Sequence, residues 1–216
     1  LVLWFLGRYD AALERGAAAL EMRRRLGDKR SVALSLLTIG HIERHRGLFD
    51  EADACYREAL TIRRDLGDKA GTAASLNGLG ALSFQRGDFD SAHACWEEAL
   101  ALAEEAGALP QVAIIEAHLG EIARESGNLV EARRRFERSE SAARDLGDKR
   151  LLAEALRNLA SLELANSEVD KARELAQQSL DLASAAGIKV DVGRALIVLG
   201  ECEAQTLFHD QGDGMT

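Results

Sequence analysis

Leu79-Gly80, Gly87-Asp88-Phe89-Asp90, Ala92, Trp96 and Ala99-Leu100 form a string that returns along the chain at a fixed spacing. Its centre recurs as Gly7-Arg8-Tyr9-Asp10, Gly47-Leu48-Phe49-Asp50 and Gly127-Asn128-Leu129-Val130, each copy 40 residues from the next, with Ser167-Glu168-Val169-Asp170 as a weaker fifth. Other landmarks keep the same period. Glycine stands at 27, 67, 107, 147 and 187, and alanine at 12, 52, 92, 132 and 172. Gly40, Gly80, Gly120 and Gly200 share a further register, in which Ala160 takes the remaining place. A period held without insertion marks a repeat array, in which each repeat completes its core against its neighbours.

Each repeat reads as two helices. Val32, Leu36, Ile39 and Ile42 step by four and three along a first helix, the spacing that puts apolar side chains on one stripe. The chain turns at Gly47-Leu48-Phe49, and Asp50 is placed to cap a second helix. There Ala52, Cys55, Tyr56, Ala59 and Leu60 follow the pattern of a wide buried face. Gly67 ends that helix, Asp68 or Lys69 opens the next, and the single proline, Pro110, falls at the equivalent opening one repeat later, where a first helical turn tolerates it. Glycine inside a helix costs roughly 1 kcal/mol against alanine, so Gly40, Gly80 and Gly120 need a packing reason. Small residues there and at 52, 92 and 132 are expected to let paired helices approach closely, with Tyr56, Trp96 and Phe136 wedging the stack.

Composition agrees. Of 216 residues 47% are hydrophobic, only 5% are aromatic and one is proline, which disfavours sandwiches and barrels. The repeats divide as a partial copy over 1–27, full copies over 28–67, 68–107, 108–147 and 148–187, and a terminal helix over 188–207, a single array over 1–206 followed by a flexible tail over 208–216. The chain opens without an initiating Met on Leu1-Val2-Leu3-Trp4-Phe5-Leu6, which reads as the end of a first helix cut from a longer protein. Its apolar side chains, lacking an earlier repeat to cover them, are expected to drive self-association.

The string Leu79-Gly80, Gly87-Asp88-Phe89, Ala92, Trp96, Ala99-Leu100 resembles the tetratricopeptide repeat signature, in a long form of 40 residues rather than 34. That long form is similar to the repeats of bacterial signal-transducing ATPase regulators and cyclases and of eukaryotic spindle-orientation adaptors. The resemblance implies an all-α fold, a right-handed solenoid of antiparallel helix pairs. It also implies that residues beside the Leu-Gly pair of each first helix point into a concave groove. By position these are His41, Arg44 and His45 (with Leu37 and Thr38), then Asn77, Phe84 and Gln85, then His118, Glu121, Arg124 and Glu125, then Arg157 and Asn158 (with Ser161). Two departures, Ser139-Glu140 in place of Ala-Leu and Ala176 in place of the aromatic, point to a looser C-terminal part.

Other chemistries find no support in the residues. The net charge of −9, from 27 basic and 36 acidic residues, argues against nucleic acid, and no apolar run approaches a membrane span. Cys55, Cys95 and Cys202 form no CxxC, which points away from a disulfide framework and towards a reducing cytoplasm. His41 and His45 share an i, i+4 spacing that can chelate a metal, but no third ligand is in sight and Arg44 and Arg46 repel a cation, so no metal site is expected. No nucleophile, base and orienter combine, and no cofactor motif occurs, so no enzyme activity is expected. The arginine runs 23–25, 63–64 and 133–135 alternate with acids, as solvated outer surfaces do. The function expected is a non-enzymatic scaffold holding a protein or peptide in the groove, as part of a larger signalling or regulatory protein. The alternative is a small-effector-sensing or oligomerisation module of a multidomain bacterial regulator.

Overall fold

The computed structural model describes residues 9–213, with side chains from 10 to 207. Ten helices follow one another among the described residues: α1 (Tyr9–Arg25), α2 (Lys29–His45), α3 (Phe49–Asp65), α4 (Lys69–Gln85), α5 (Phe89–Glu105), α6 (Leu109–Glu125), α7 (Leu129–Leu146), α8 (Lys149–Ala165), α9 (Val169–Ala185) and α10 (Lys189–Asp213). Two or three residues join each to the next, so consecutive helices double back antiparallel. The fold is an all-α repeat solenoid of paired helices, with α2, α4, α6, α8 and α10 as first helices and the others as second. The apolar segment Leu1–Leu6 lies outside the described residues. The last helix continues past Leu207 to Asp213, where the repeat pattern had suggested a tail; no proline breaks its hydrogen-bond ladder.

The helix starts are read from side chains. The carboxylates of Asp28, Asp68 and Asp88 accept hydrogen bonds from the backbone N–H of Ser31 (3.1 Å), Gly71 (2.9 Å) and Ser91 (3.1 Å). Asn128 caps α7 through the N–H of Glu131 (3.2 Å). The cap therefore precedes the aromatic landmark and does not follow it. Asp50 lies inside the first turn of α3, whose cap residue Leu48 offers no side-chain bond. There Asp50 complements the helix dipole instead. At the equivalent turn before α9, Ser167 replaces glycine and holds φ +64°, a left-handed conformation that costs a residue with a Cβ about 1 kcal/mol or more.

The mid-helix glycines have a different explanation from close helix approach alone. A Cβ built on Gly40 would lie 2.6 Å from the Tyr56 ring, one on Gly80 2.6 Å from the Trp96 indole, and one on Gly120 2.5 Å from the Phe136 ring. Each aromatic packs against the glycine of its own repeat, and Tyr56 also covers Gly78 of the next first helix, where a built Cβ would lie 2.8 Å from the ring. In the fourth copy both partners change together. Ala160 replaces the glycine and Ala176 the aromatic, both fully buried, and Val198 and Cys202 from α10 fill the remaining volume.

The chain divides into two compact units at Gln111/Val112. In the first unit α2 packs on α3 and α4 on α5, with α1 and α3 each lying against the following first helix. Two arginines reach forward between repeats. Arg63, itself buried, donates to the Gly71 carbonyl (2.6 Å) and the Ser75 hydroxyl (3.0 Å). Arg23 does the same to Ser31 and Ser35. Exposed pairs Arg24–Glu58 (2.6 Å), Arg64–Glu98 (2.5 Å) and Arg86–Asp50 (2.6 Å) repeat the link on the surface.

In the second unit α7, α8, α9 and α10 pack in succession, and polar bonds run both within and between repeats. The hydroxyls of Ser139 and Ser179 donate to the carbonyls of Ala113 and Ala153 (2.7 Å each). Two acids are fully buried. Glu163 is gripped by Arg133 (2.7 Å for one of two bonds) and Lys171 (2.6 Å), and Glu116 by Arg138 (2.7 Å) and Arg135 (3.2 Å). The arginine runs are thus not simply a solvated face. Arg63, Arg133 and Arg135 turn inward because a hydroxyl, carbonyl or carboxylate waits at the neighbouring helix to offset their desolvation.

Candidate functional site

The candidate residues all lie on first helices. In the first unit the wedge engages several of them. The Tyr56 hydroxyl lies 2.9 Å from His41 Nδ1. Burial, helped by the charges of Arg44, His45 and Arg63, pushes the His41 pKa down to about 4, so at neutral pH the ring is uncharged and shares a hydrogen bond with the hydroxyl. The Trp96 N–H donates to Asn77 Oδ1 at 2.9 Å. Phe84 is half-buried, edge-on to Phe89 (5.2 Å between centroids) and tilted against Trp96 (5.8 Å). His45 meets the Arg44 guanidinium at 3.3 Å, and both His45 and Gln85 are exposed. His41 and Asn77 therefore serve the packing of their own repeats, because a buried phenol or indole needs a polar partner, and Phe84 joins the aromatic cluster of its repeat.

The second unit brings its candidates together. Glu121 and Arg124 from α6, Arg157, Asn158 and Ser161 from α8, and Glu201 and Gln205 from α10 line a cavity of about 380 Å³, floored by Leu164 and Ala165. A further cavity of about 330 Å³ shares Glu121, Arg157 and Asn158 and adds His118, Glu154 and Arg194. Arg124 is held by Glu121 (2.6 Å) and Glu125 (2.7 Å), and Arg194 by Asp191 (3.5 Å). Arg157 belongs to both cavities. Burial lowers its pKa, opposed by the nearby carboxylates of Glu154, Asp191 and Glu121, while Arg194 adds to the lowering. The Oε1 atom of Gln205 is buried and has no hydrogen-bond donor. Arg194, Glu201 and Gln205 escaped the sequence reading, although they stand in the same 40-residue register as Glu154, Ser161 and Ala165.

The cysteine thiols are not set up as nucleophiles. Cys55 and Cys95 are half-buried and Cys202 buried; burial, with Glu43 next in effect, pushes the Cys55 thiol up to about 11, far from a thiolate nucleophile. Among the described residues no three His, Cys, Asp or Glu side chains gather as metal ligands, and no helix is long and apolar enough to cross a membrane.

Residues 31–105 and 111–185 match the tetratricopeptide repeat family model, more than half of the chain. Comparison with curated proteins found no match. Among solved structures the chain is similar to BtubC (BKLC) from P. vanneervenii, with 20% identity over 91% of this chain and 87% of that one and a TM-score of 0.71. It is also similar to a Rap protein complexed with competence and sporulation factor, with 15% identity over 94% of this chain and 61% of that one and a TM-score of 0.67. MamA matches at 17% identity over 86% and 94%, with a TM-score of 0.54. At these identities the likeness is one of fold.

Proposed function

The chain belongs to the tetratricopeptide repeat family, and from that premise we propose that it is a non-enzymatic binding module whose open first-helix face in the second unit holds a peptide or extended segment of a partner protein. The observation that carries this reading is the convergence of Arg157, Asn158, Ser161 and Gln205 from two adjacent helices on one cavity. Amides and hydroxyls set in a row can pair with peptide backbone, while the charged residues around them select side chains. A second reading has one observation in its favour: a cavity of about 380 Å³ falls within the range of small-molecule sites, as an effector-sensing module of a larger regulator would need.

Selection of peptides against the chain, followed by NMR titration, separates the two. A peptide scaffold yields clones that compete with one another and shift the resonances of Asn158, Ser161 and Gln205. Failure to select any peptide, with a metabolite raising the melting temperature instead, would favour the effector reading.

A further inference from the structure

Arg157 is the inner-face arginine of the second unit whose hydrogen-bonding capacity is unspent. Arg124 and Arg194 are each held by a carboxylate, whereas Arg157 makes no hydrogen bond or ion pair with the described residues, although it lies at the junction of the two cavities. A guanidinium carries five N–H donors in a planar fork, and the acceptor that matches this fork is a carboxylate with its two oxygens. On the same cavity wall the buried Gln205 Oε1 lacks a donor, and an amide N–H supplies one. A peptide bearing an acidic side chain offers both groups at once.

Resting on the peptide-binding reading above, we propose that this groove selects its peptide through a single acidic side chain, gripped by Arg157, with Gln205 accepting a backbone N–H beside it. The surroundings limit the ligand to one acid. Glu121, Glu154 and Glu201 line the same cavities, so a second negative charge would be repelled, and the net charge of −9 disfavours polyanions at a distance. The acid is therefore set among neutral or basic residues. The open face of three packed helices, at 8–10 Å per helix, spans about 20 Å, which an extended chain covers in about six residues.

Fluorescein-labelled hexapeptide pools, randomised over neutral and basic residues, test this by fluorescence anisotropy on the whole chain. One pool carries Asp fixed at the third position, one Asn there, and one three adjacent Asp residues. The single-Asp pool is expected to bind at least tenfold more tightly than the Asn pool and more tightly than the triple-Asp pool. Arg157→Gln is expected to erase the Asp preference at an unchanged melting temperature. Equal binding of the Asp and Asn pools by the unaltered chain would overturn the carboxylate grip while leaving the peptide groove standing. Binding of no pool would overturn both.

Discussion

Tyr56 and Trp96 in the first unit carry a polar atom into the wedge, while Phe136 and Ala176 in the second carry none. That difference decides what the open face can do. A buried hydroxyl or indole N–H requires a partner, and the first unit supplies it from the inner-face positions His41 and Asn77. Where the wedge is Ala176, no ring claims Arg157, the counterpart of Asn77 in the 40-residue register, and the second unit presents Arg157 and Asn158 to a cavity. Some polar links between helices differ as well. Arg63 binds forward to Gly71 and Ser75 of the next repeat, whereas Ser139 and Ser179 bind back within their own. One backbone plan thus supports two allocations of polar groups, one spent on packing and one left open.

Removing a wedge should have the largest effect. Trp96→Ala deletes a side chain that is 2% exposed, leaves a cavity over Gly80 and strands Asn77. The loss should be about 3–5 kcal/mol, read by chemical denaturation. Phe84→Ala, at the half-buried edge of the same cluster, should cost about 1–2 kcal/mol. Equal losses would mean that Phe84 is as much a core residue as the indole.

Acid should act on the two units in different windows. The His41 pKa is depressed to about 4 in the folded state against about 6.5 when exposed, so the unfolded chain binds the proton first. Stability of the first unit from this source is full above pH 6.5 and declines as the pH falls towards 4. In the second unit the Arg133 guanidinium, then Lys171, hold Glu163 down to about 2, and Arg134 and Arg135 do the same for Glu131. Their stabilisation is present above the ordinary carboxylate range and declines from about pH 4.5 towards 2. NMR spectra across a pH series should show α2 and α3 losing protection first, and His41→Asn should remove that early step. Loss of α7 and α8 ahead of α2 would contradict the assignment.

Within the second unit, two glycines of the same register should respond differently to substitution. Gly120→Ala places a Cβ 2.5 Å from the Phe136 ring, whereas the same change at Gly200 meets nothing within 4 Å. The first should cost about 1–3 kcal/mol as an overpacked site. The second should be neutral or stabilising by up to about 1 kcal/mol, the helix-propensity difference alone. Thermal melts of the two variants decide it. The smallest effect belongs to the strained turn: Ser167→Gly relieves a φ of +64° and should raise stability by about 0.5–1 kcal/mol, the conformational penalty less the added chain entropy.

The period, the helix pairs and the wedge positions were legible because each depends on residue spacing alone. The Ala160/Ala176 exchange was visible in the same way, as two departures in one copy. What spacing could not reveal was which inner-face side chain a wedge would claim. His41 and Asn77 stand at different places in their repeats, and each becomes a partner only through the reach of a particular ring and the direction of its O–H or N–H. Nor did the arginine runs disclose that Arg63 is buried, since that follows from the Ser75 hydroxyl and Gly71 carbonyl on the adjoining helix. The cavity wall on α10 was in register all along, at the 40-residue counterparts of Glu154, Ser161 and Ala165.

The central claim is that equivalent faces serve packing in the first unit and binding in the second. Thermal melts of His41→Ala, Asn77→Ala, Arg157→Gln and Asn158→Ala, each with and without the single-Asp hexapeptide pool, test it most directly. The first two should lower the melting temperature of the free chain yet retain the full peptide-induced rise. The last two should leave the free chain unchanged and lose that rise. A normal free melt with an abolished rise for Asn77→Ala, or a full rise for Arg157→Gln, would contradict it.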